Sequence, residues 1–136
     1  MTNEERVRAY WDRVWSRGDV EYATEFYATT FRQNGEEVDA AAFAEGARAW
    51  RAKFEGFTAT VDRVFPLEGG GVASRVVYRA RHTVDLERVP ATGKEIEVTG
   101  LDVFRFENGR CVEHLHEADH AEMFLQLGAP PTPAAK

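Results

Sequence analysis

The sequence predicts an α+β fold in which N-terminal helices pack against a curved antiparallel sheet. In the first half of the chain, apolar residues recur at the three- and four-residue spacing of amphipathic helices. In the second half, β-rich segments alternate with turn sequences, as in an antiparallel meander. A long curved sheet wrapped around amphipathic helices leaves a cavity between the two layers, so we expect a pocket for an apolar small molecule.

Three helices are predicted in the first half. The apolar stripe of the first helix consists of Val7, Trp11, Val14 and Trp15. Asp19 can cap a second helix, which ends before the turn sequence Asn34-Gly35. Asp39 can cap a third helix that ends at Gly56. Its stripe consists of Phe43, Ala47, Trp50 and Phe54.

The second half contains predicted strands followed by one short helix. The strands are expected at residues 58–65, 72–84, 95–107 and 110–117. The glycine-rich sequence 68–71 and Asn108-Gly109 predict hairpin turns, and the second is the strongest short hairpin signal in the chain. Asp119 and Glu122 fit a capping box that opens a helix extending to Leu127.

Length and composition restrict the classes of protein. The 136 residues fit a single domain over 1–128, with 129–136 expected to form an unordered tail. A net charge of -6 argues against nucleic acid as a partner, and the single Cys111 excludes an intrachain disulfide. The sequence shows neither the apolar run of a signal peptide nor a membrane-spanning segment, so we expect no membrane partner and a cytoplasmic location.

A series of motifs runs through the second half of the chain. They are His82-Thr83, Pro90 to Lys94, Gly100 to Arg105, Gly109 to Leu115, Asp119 and Gln126 to Gly128. This series resembles the SnoaL-like polyketide cyclase group of the nuclear transport factor 2-like superfamily, and the likeness covers about residues 5 to 128. The resemblance implies a cone-shaped barrel in which a curved antiparallel sheet wraps around the N-terminal helices.

Three positions depart from the pattern of that family. Val84 replaces a glycine, Leu115 replaces a tryptophan, and Asn34 stands where many relatives have a histidine. Each position is expected near the pocket, so the lining should differ from that of the average member. Asn34 is therefore a predicted substrate contact.

The resemblance implies chemistry without a cofactor or a metal, but not one particular reaction, because one fold carries many activities. It places Asp119 where the carboxylate of SnoaL-type cyclases takes a proton from carbon. Aldol ring closure needs such a base and a group that stabilises the enolate. The alternative for Asp119 is a purely structural role as a helix cap.

His82, Asp102 and His116 are further candidates for catalysis. His82 and Asp102 each lie on the apolar face of a predicted strand, and a carboxylate there must be paired, protonated or in contact with a pocket. Both could equally be satisfied core residues. His114 and His116 share a strand face and resemble a pair of metal ligands, but this spacing is common by chance and we expect no metal.

Large flat side chains on the predicted stripes are candidates for substrate binding, with ordinary core packing as the alternative. They are Trp15, Tyr27, Trp50, Phe54, Phe104 and Met123. Arg105 is added because, by resemblance, it occupies a place where a cyclase histidine can stand. It could instead be a solvated arginine or part of a dimer interface.

The leading hypothesis is a cofactor-independent enzyme that cyclises or isomerises a small apolar carbonyl compound, with Asp119 as the base. One alternative is an epoxide hydrolase in which Asp102 and Asp119 flank a water molecule. Another is a binding domain without catalysis. A homodimer is expected through the convex sheet face that carries Arg79, Arg81 and Val103.

Overall fold

The computed structural model describes residues 1–87 and 89–129 and confirms the α+β prediction. The helices are α1 Asn3–Tyr10, α2 Ala23–Phe26, α3 Ala40–Arg51 and α4 His120–Gln126. The strands are β1 Tyr27–Gln33, β2 Glu36–Asp39, β3 Phe54–Pro66, β4 Val72–His82, β5 Glu95–Glu107 and β6 Arg110–Ala118. Apart from residue 129, the predicted tail lies outside the described residues.

The strands form one curved, unclosed sheet in the order β2-β1-β6-β5-β4-β3. All neighbours are antiparallel except β1 and β6, which run parallel, so the sheet is mixed rather than wholly antiparallel. Along β5 every second residue is buried, which places one face of the strand on the helices. Asn108 and Gly109 both have positive φ, as the predicted two-residue hairpin requires.

Strands β1 and β2 are absent from the sequence prediction, which assigned a helix up to the turn at Asn34-Gly35. The helix α2 has only four residues, and residues 27–39 form a hairpin instead. Strand β1 reads YATTFRQ, which is rich in the aromatic and β-branched residues that favour strands. Asn34 and Gly35 both adopt positive φ, so the predicted turn is a tight hairpin turn.

The third helix ends earlier than predicted. It stops at Arg51, and β3 begins at Phe54, so the expected end at Gly56 is wrong. Gly56 has a φ of 65° and lies where the pairing register of β3 shifts between Glu55 and Thr58. Phe54 still points inward, because a strand can bury that side chain as well as a helix can.

The start of α3 agrees with the sequence analysis. The Asp39 side chain accepts a hydrogen bond from the Ala42 amide at 3.0 Å and caps the helix as predicted. The cap fixes the entry of α3, which packs across the inner face of β1.

Helix α1 continues into a π-helical turn over Trp11–Ser16. Both tryptophans of this turn, Trp11 and Trp15, line the cavity between the helices and the sheet. Arg51 closes the end of the turn, because the guanidinium Nε donates to the Trp15 carbonyl oxygen at 2.8 Å. Such π-helical turns occur frequently at functional sites.

No helix among residues 1–87 and 89–129 is long and apolar enough to cross a membrane.

Candidate active site

An apolar cavity of about 250 Å³ lies between the helices and the inner face of the sheet. Most of its wall is aromatic or aliphatic, including Trp11, Trp15, Phe43, Trp50, Phe54, Phe57, Ile96, Val98, Ala118 and Met123. The lining residues that carry polar groups are Tyr10, Gln33, Tyr78, His114, His116 and His120. Since ligand pockets commonly measure about 300 to 1,000 Å³, this cavity suits a small ring compound.

A buried carboxylate lies directly behind the polar part of this wall. Asp102 on β5 is opposite His116 on β6, and its side chain is fully buried. Its Oδ2 accepts a hydrogen bond from His114 Nε2 at 2.5 Å and another from His116 Nδ1 at 2.7 Å. A buried charge needs such partners, and in the part of the chain that the structure describes these are two imidazoles and no lysine or arginine.

The hydrogen bonds continue from His114 toward the helices. The Tyr27 hydroxyl lies 2.7 Å from His114 Nδ1 and 2.9 Å from the Tyr10 hydroxyl, which accepts a bond from Trp15 Nε1. Every hydroxyl hydrogen finds an acceptor if Tyr10 donates to Tyr27 and Tyr27 donates to His114 Nδ1. In the opposite direction, the Tyr10 hydrogen would have no acceptor among the described residues. His114 is therefore neutral and carries its hydrogen on Nε2.

The pKa values of the two histidines move in opposite directions. Burial lowers the pKa of His114, and the opposing attraction of Asp102 does not restore it. Burial acts on His116 too, but the hydrogen bond and charge of Asp102 outweigh it and raise the His116 pKa. Burial likewise favours a higher pKa for Asp102, yet its hydrogen bonds from His114 and His116 hold that pKa below the usual value. The carboxylate therefore stays charged, and His116 is the imidazole that can take up a proton.

Hydrogen bonds fix the position of His116 at the cavity wall and leave its Nε2 atom free. Its Nδ1 is bonded to Asp102, and Nε2 has no partner among the described residues, although His116 lines the cavity. Asn34 fixes the backbone, because its Oδ1 accepts from the His116 amide at 2.8 Å and its Nδ2 donates to the His116 carbonyl oxygen at 3.2 Å. A carboxylate-oriented imidazole at an apolar cavity is suited to general acid and base chemistry.

The cluster of Asp102, His114 and His116 also contains residue types that bind metal ions. One potential ligand atom from each residue lies within 4.8 Å of the others. A tetrahedral ion bound at about 2.1 Å would hold these atoms about 3.4 Å apart. The contacts at Asp102 Oδ2 are 2.5 and 2.7 Å, which are hydrogen-bond lengths, so the residues fit a hydrogen-bonded cluster better than a metal centre.

Asp119 lies outside the cavity wall. It is exposed at the start of α4, and its Oδ1 accepts from the Glu122 amide at 3.0 Å. The predicted capping box is only half formed, because the Glu122 carboxylate accepts from Gln126 instead of from the Asp119 amide. The next residue, His120, does contact the cavity. Catalysis by Asp119 stays a prediction from the sequence.

His82 is buried, as its position on the apolar face of β4 predicted. Its Nδ1 accepts from the Thr92 amide at 3.2 Å, and its Nε2 has no partner among the described residues. Its ring centre lies 6.0 Å from that of Phe54, which lines the cavity, but His82 itself is not part of the wall. The structure thus brings Asp102 and His116 together and keeps His82 apart from them.

The remaining predicted contacts divide into two groups. The cavity wall includes Trp15, Trp50, Phe54 and Met123. Tyr27 and Phe104 instead surround His114, and the Phe104 ring stacks on it with centres 4.2 Å apart. Arg105 is exposed on the outer face and pairs with Glu107 and Glu113, so the structure does not place it or Asn34 in the wall.

Sequence reasoning missed several residues of the wall as ligand contacts, among them Tyr10, Gln33, Tyr78 and His120. Tyr78 lies on the same apolar face of β4 as His82, which was predicted to point inward, so the alternation along that strand could have identified it. Gln33 could not be found, because it ends a strand that was predicted as helix. His114 was considered only as a metal ligand, although it forms the buried half of the histidine pair.

A curved sheet that packs with helices around an apolar cavity defines a small-molecule-binding domain of the nuclear transport factor 2-like class. The chain matches the family of SnoaL-like polyketide cyclases over residues 5–127 and belongs to that family. Among curated proteins, none matches the chain.

Solved structures with the same fold cover nearly the whole chain. A candidate polyketide cyclase from Acidithiobacillus ferrooxidans is 25% identical, with a TM-score of 0.83 over 93% of this chain and 94% of that one. IdmH from Streptomyces antibioticus, also a candidate polyketide cyclase, is 27% identical, with a TM-score of 0.82 over 95% and 100%. AclR from Streptomyces galilaeus, a candidate hydroxylase, is 22% identical, with a TM-score of 0.74 over 93% and 92%. The last likeness shows the fold alone.

Proposed function

We propose that this protein catalyses cyclisation or isomerisation of a small apolar carbonyl compound, with His116 as the general base. The observation that carries the proposal is the fully buried Asp102 carboxylate, which orients an imidazole at the wall of an aromatic cavity. The same groups need no bound cofactor for proton transfer. A cytoplasmic location remains part of this proposal.

The proposed step is abstraction of a proton from the carbon next to the carbonyl group. His116 Nε2 forms a bond to the proton. The electron pair of the broken C–H bond forms the carbon–carbon double bond of the enolate, while the π pair of the C=O bond moves onto the carbonyl oxygen. Asp102 stabilises the imidazolium that results, because its charged Oδ2 accepts from Nδ1. The enolate can then attack a second carbonyl within the same molecule, or it can be reprotonated at another carbon.

His116 is favoured over Asp119 as the base for two reasons. The Asp119 carboxylate is exposed and engaged in capping α4, so it lacks the burial that raises the basicity of a catalytic carboxylate. His116 lines the cavity, and its pKa is raised by Asp102. The cap at Asp119 then positions α4, which contributes Met123 to the wall.

Hydrogen exchange tests the proposal without knowledge of the natural substrate. In D2O, 1-tetralone, a flat bicyclic ketone, exchanges the hydrogens next to its carbonyl group for deuterium once they are abstracted. We expect the protein to accelerate this exchange and His116→Gln to reduce the acceleration by about one hundredfold or more. NMR of the ketone signal measures the rate.

Asp119→Asn is the matched control, since asparagine preserves a helix cap while removing the carboxylate. We expect this variant to exchange at nearly the rate of the unmodified protein, with or without EDTA. Normal exchange in His116→Gln together with loss in Asp119→Asn would transfer the role of base to Asp119. A rate that depends on the chelator would instead support a metal.

We also propose that the protein forms a homodimer through the outer face of the sheet. Leu101, Val103 and Leu115 expose 60%, 37% and 44% of their surface there, and Val103 is paired with Leu115. Exposed apolar surface of this kind marks an interaction site more often than scattered single residues do. Arg79 and Arg81, expected in the same interface, pair with glutamates on β5.

A further inference from the structure

We propose that Tyr78 is a second catalytic group, which donates a hydrogen bond to the carbonyl oxygen of the substrate while His116 removes the proton. This inference rests on the proposed function and adds the group that receives the developing negative charge. Proton abstraction next to a carbonyl needs both a base and a stabiliser of the enolate oxygen.

The Tyr78 hydroxyl is a free donor at the cavity wall. Tyr78 is 9% exposed and lines the cavity from β4, and its hydroxyl makes no hydrogen bond with any described residue. Interior hydroxyl groups are normally hydrogen-bonded, as those of Tyr10 and Tyr27 are. A free hydroxyl in an apolar wall is therefore placed to bind a polar atom of a ligand.

The neighbouring strand makes room for the phenol ring at one position. Gly100 on β5 lies beneath it, and a Cβ atom at Gly100 would come within 2.8 Å of the Tyr78 ring carbon Cε2 and 3.1 Å of its oxygen. Only glycine lets the ring lie across β5 in this orientation. Gly100 thus fixes the position of the hydroxyl, although its own backbone φ is ordinary.

The hydroxyl lies over Gly100, two residue pairs along the sheet from the proposed base. Gly100 is paired with Ala118, and Asp102 is paired with His116. Residues two apart on one strand lie about 6.7 Å apart on the same face. One flat ligand in the cavity can therefore contact both the Tyr78 hydroxyl and the His116 ring.

The hydroxyl keeps its hydrogen throughout the ordinary pH range. Burial raises the pKa of Tyr78 well above its usual value, and the charge of Asp102 raises it further. Tyr78 thus acts as a hydrogen-bond donor while His116 acts as the proton acceptor. A fixed donor in a dry site stabilises the charge that forms on the substrate oxygen.

The first arm of the test measures how fast the Tyr78→Phe variant exchanges the hydrogens next to the carbonyl group of 1-tetralone for deuterium. Phenylalanine keeps the ring contacts with Trp11 and Phe57 and removes only the hydroxyl. We expect kcat for exchange to fall about one hundred- to one thousandfold, with a smaller change in KM. Tyr22→Phe is the control, because Tyr22 lies outside the cavity and stacks under Arg13.

The second arm measures binding and does not depend on turnover. Ligand-observed NMR compares the dissociation constants of 1-tetralone and tetralin, which has the same ring system without the oxygen. We expect Tyr78→Phe to weaken binding of 1-tetralone about three- to tenfold and to leave that of tetralin unchanged.

The two arms separate this inference from the proposed function. If Tyr78→Phe exchanges and binds 1-tetralone as the unmodified protein does, Tyr78 is not the donor, even where His116→Gln is inactive. If the hydroxyl contributes to ketone binding but the unmodified protein gives no exchange, the proposed function fails and the Tyr78 contact stands. A protein that binds neither compound overturns both.

Discussion

At the scale of single residues, Asp102 organises the polar interior. Among the described residues it has no lysine or arginine partner, and it is bonded to two histidines that differ in exposure. His114 is enclosed by Phe104 and Tyr27, so it stays neutral and serves as a fixed donor. His116 reaches the cavity, and the same carboxylate makes it more basic. The Asp102 carboxylate thereby holds His114 in the core and orients His116, the proposed base, at the cavity.

Tyr27→Phe tests the hydrogen-bond chain behind this pair. The variant leaves His114 Nδ1 without its donor and the Tyr10 hydrogen without an acceptor, both in the core. We expect the free energy of unfolding to fall by about 1–3 kcal/mol, measured by urea denaturation. Tyr22→Phe should change it by less than about 0.5 kcal/mol. Equal stability of the two variants would show that the chain is not formed in the protein.

At the scale of elements, the β5–β6 hairpin determines whether the acid and the histidines meet. Next to the turn, Phe106 pairs with Cys111, but beyond a bulge Asp102 pairs with His116. Without that extra residue, Asp102 would be opposite Leu115, because a shift of one residue moves side chains to the other face. The hairpin itself was predictable from Asn108-Gly109, whereas the bulge has no signal in the sequence.

Other features also divide into those with a local sequence pattern, which could be predicted, and those that depend on distant segments, which could not. The alternation of β4 and β5 placed His82 and Asp102 inward correctly, because one face of a half-buried strand must be apolar. The hairpin of β1 and β2 was missed because its short strands lie between two helices and carry few apolar residues. The hydrogen-bond partners of Asp102 come from distant segments, so only the folded chain identifies them.

A substitution at Asp119 tests how the last helix is held, because this residue follows β6 and caps α4. Asp119→Ala removes the cap and should cost about 0.5–2 kcal/mol of stability, measured by thermal or urea unfolding. Asp119→Asn should cost little, because asparagine caps equally well. A stable alanine variant would mean that the cap contributes nothing, and the carboxylate would then need another explanation.

At the scale of the whole molecule, the two faces of the unclosed sheet differ in their surroundings. The inner face and the helices enclose the apolar cavity, and the outer face carries apolar side chains between ion pairs. Burial of that outer face in a dimer would remove apolar surface from water and stiffen the sheet behind Asp102.

Val103→Lys tests the proposed dimer. A lysine in the centre of the outer face would place two like charges close together across a symmetric interface. We expect analytical ultracentrifugation to find a dimer for the unmodified protein and a monomer for the variant. Thr60→Lys, at an exposed position on the edge strand β3, is the control and should remain dimeric. A monomeric unmodified protein would contradict the proposal.

The pH dependence of 1-tetralone exchange tests the central claim most directly, because it reports the group that takes the proton. A histidine base must be neutral, so the rate should rise with pH around an apparent pKa above the ordinary value of a histidine, because Asp102 raises the pKa of His116. In Asp102→Asn the burial of His116 persists without the carboxylate, so that apparent pKa should move down and the rate should fall about one hundredfold. A rate that rises at the ordinary pKa of a carboxylic acid, or one that Asp102→Asn leaves unchanged, would contradict the account.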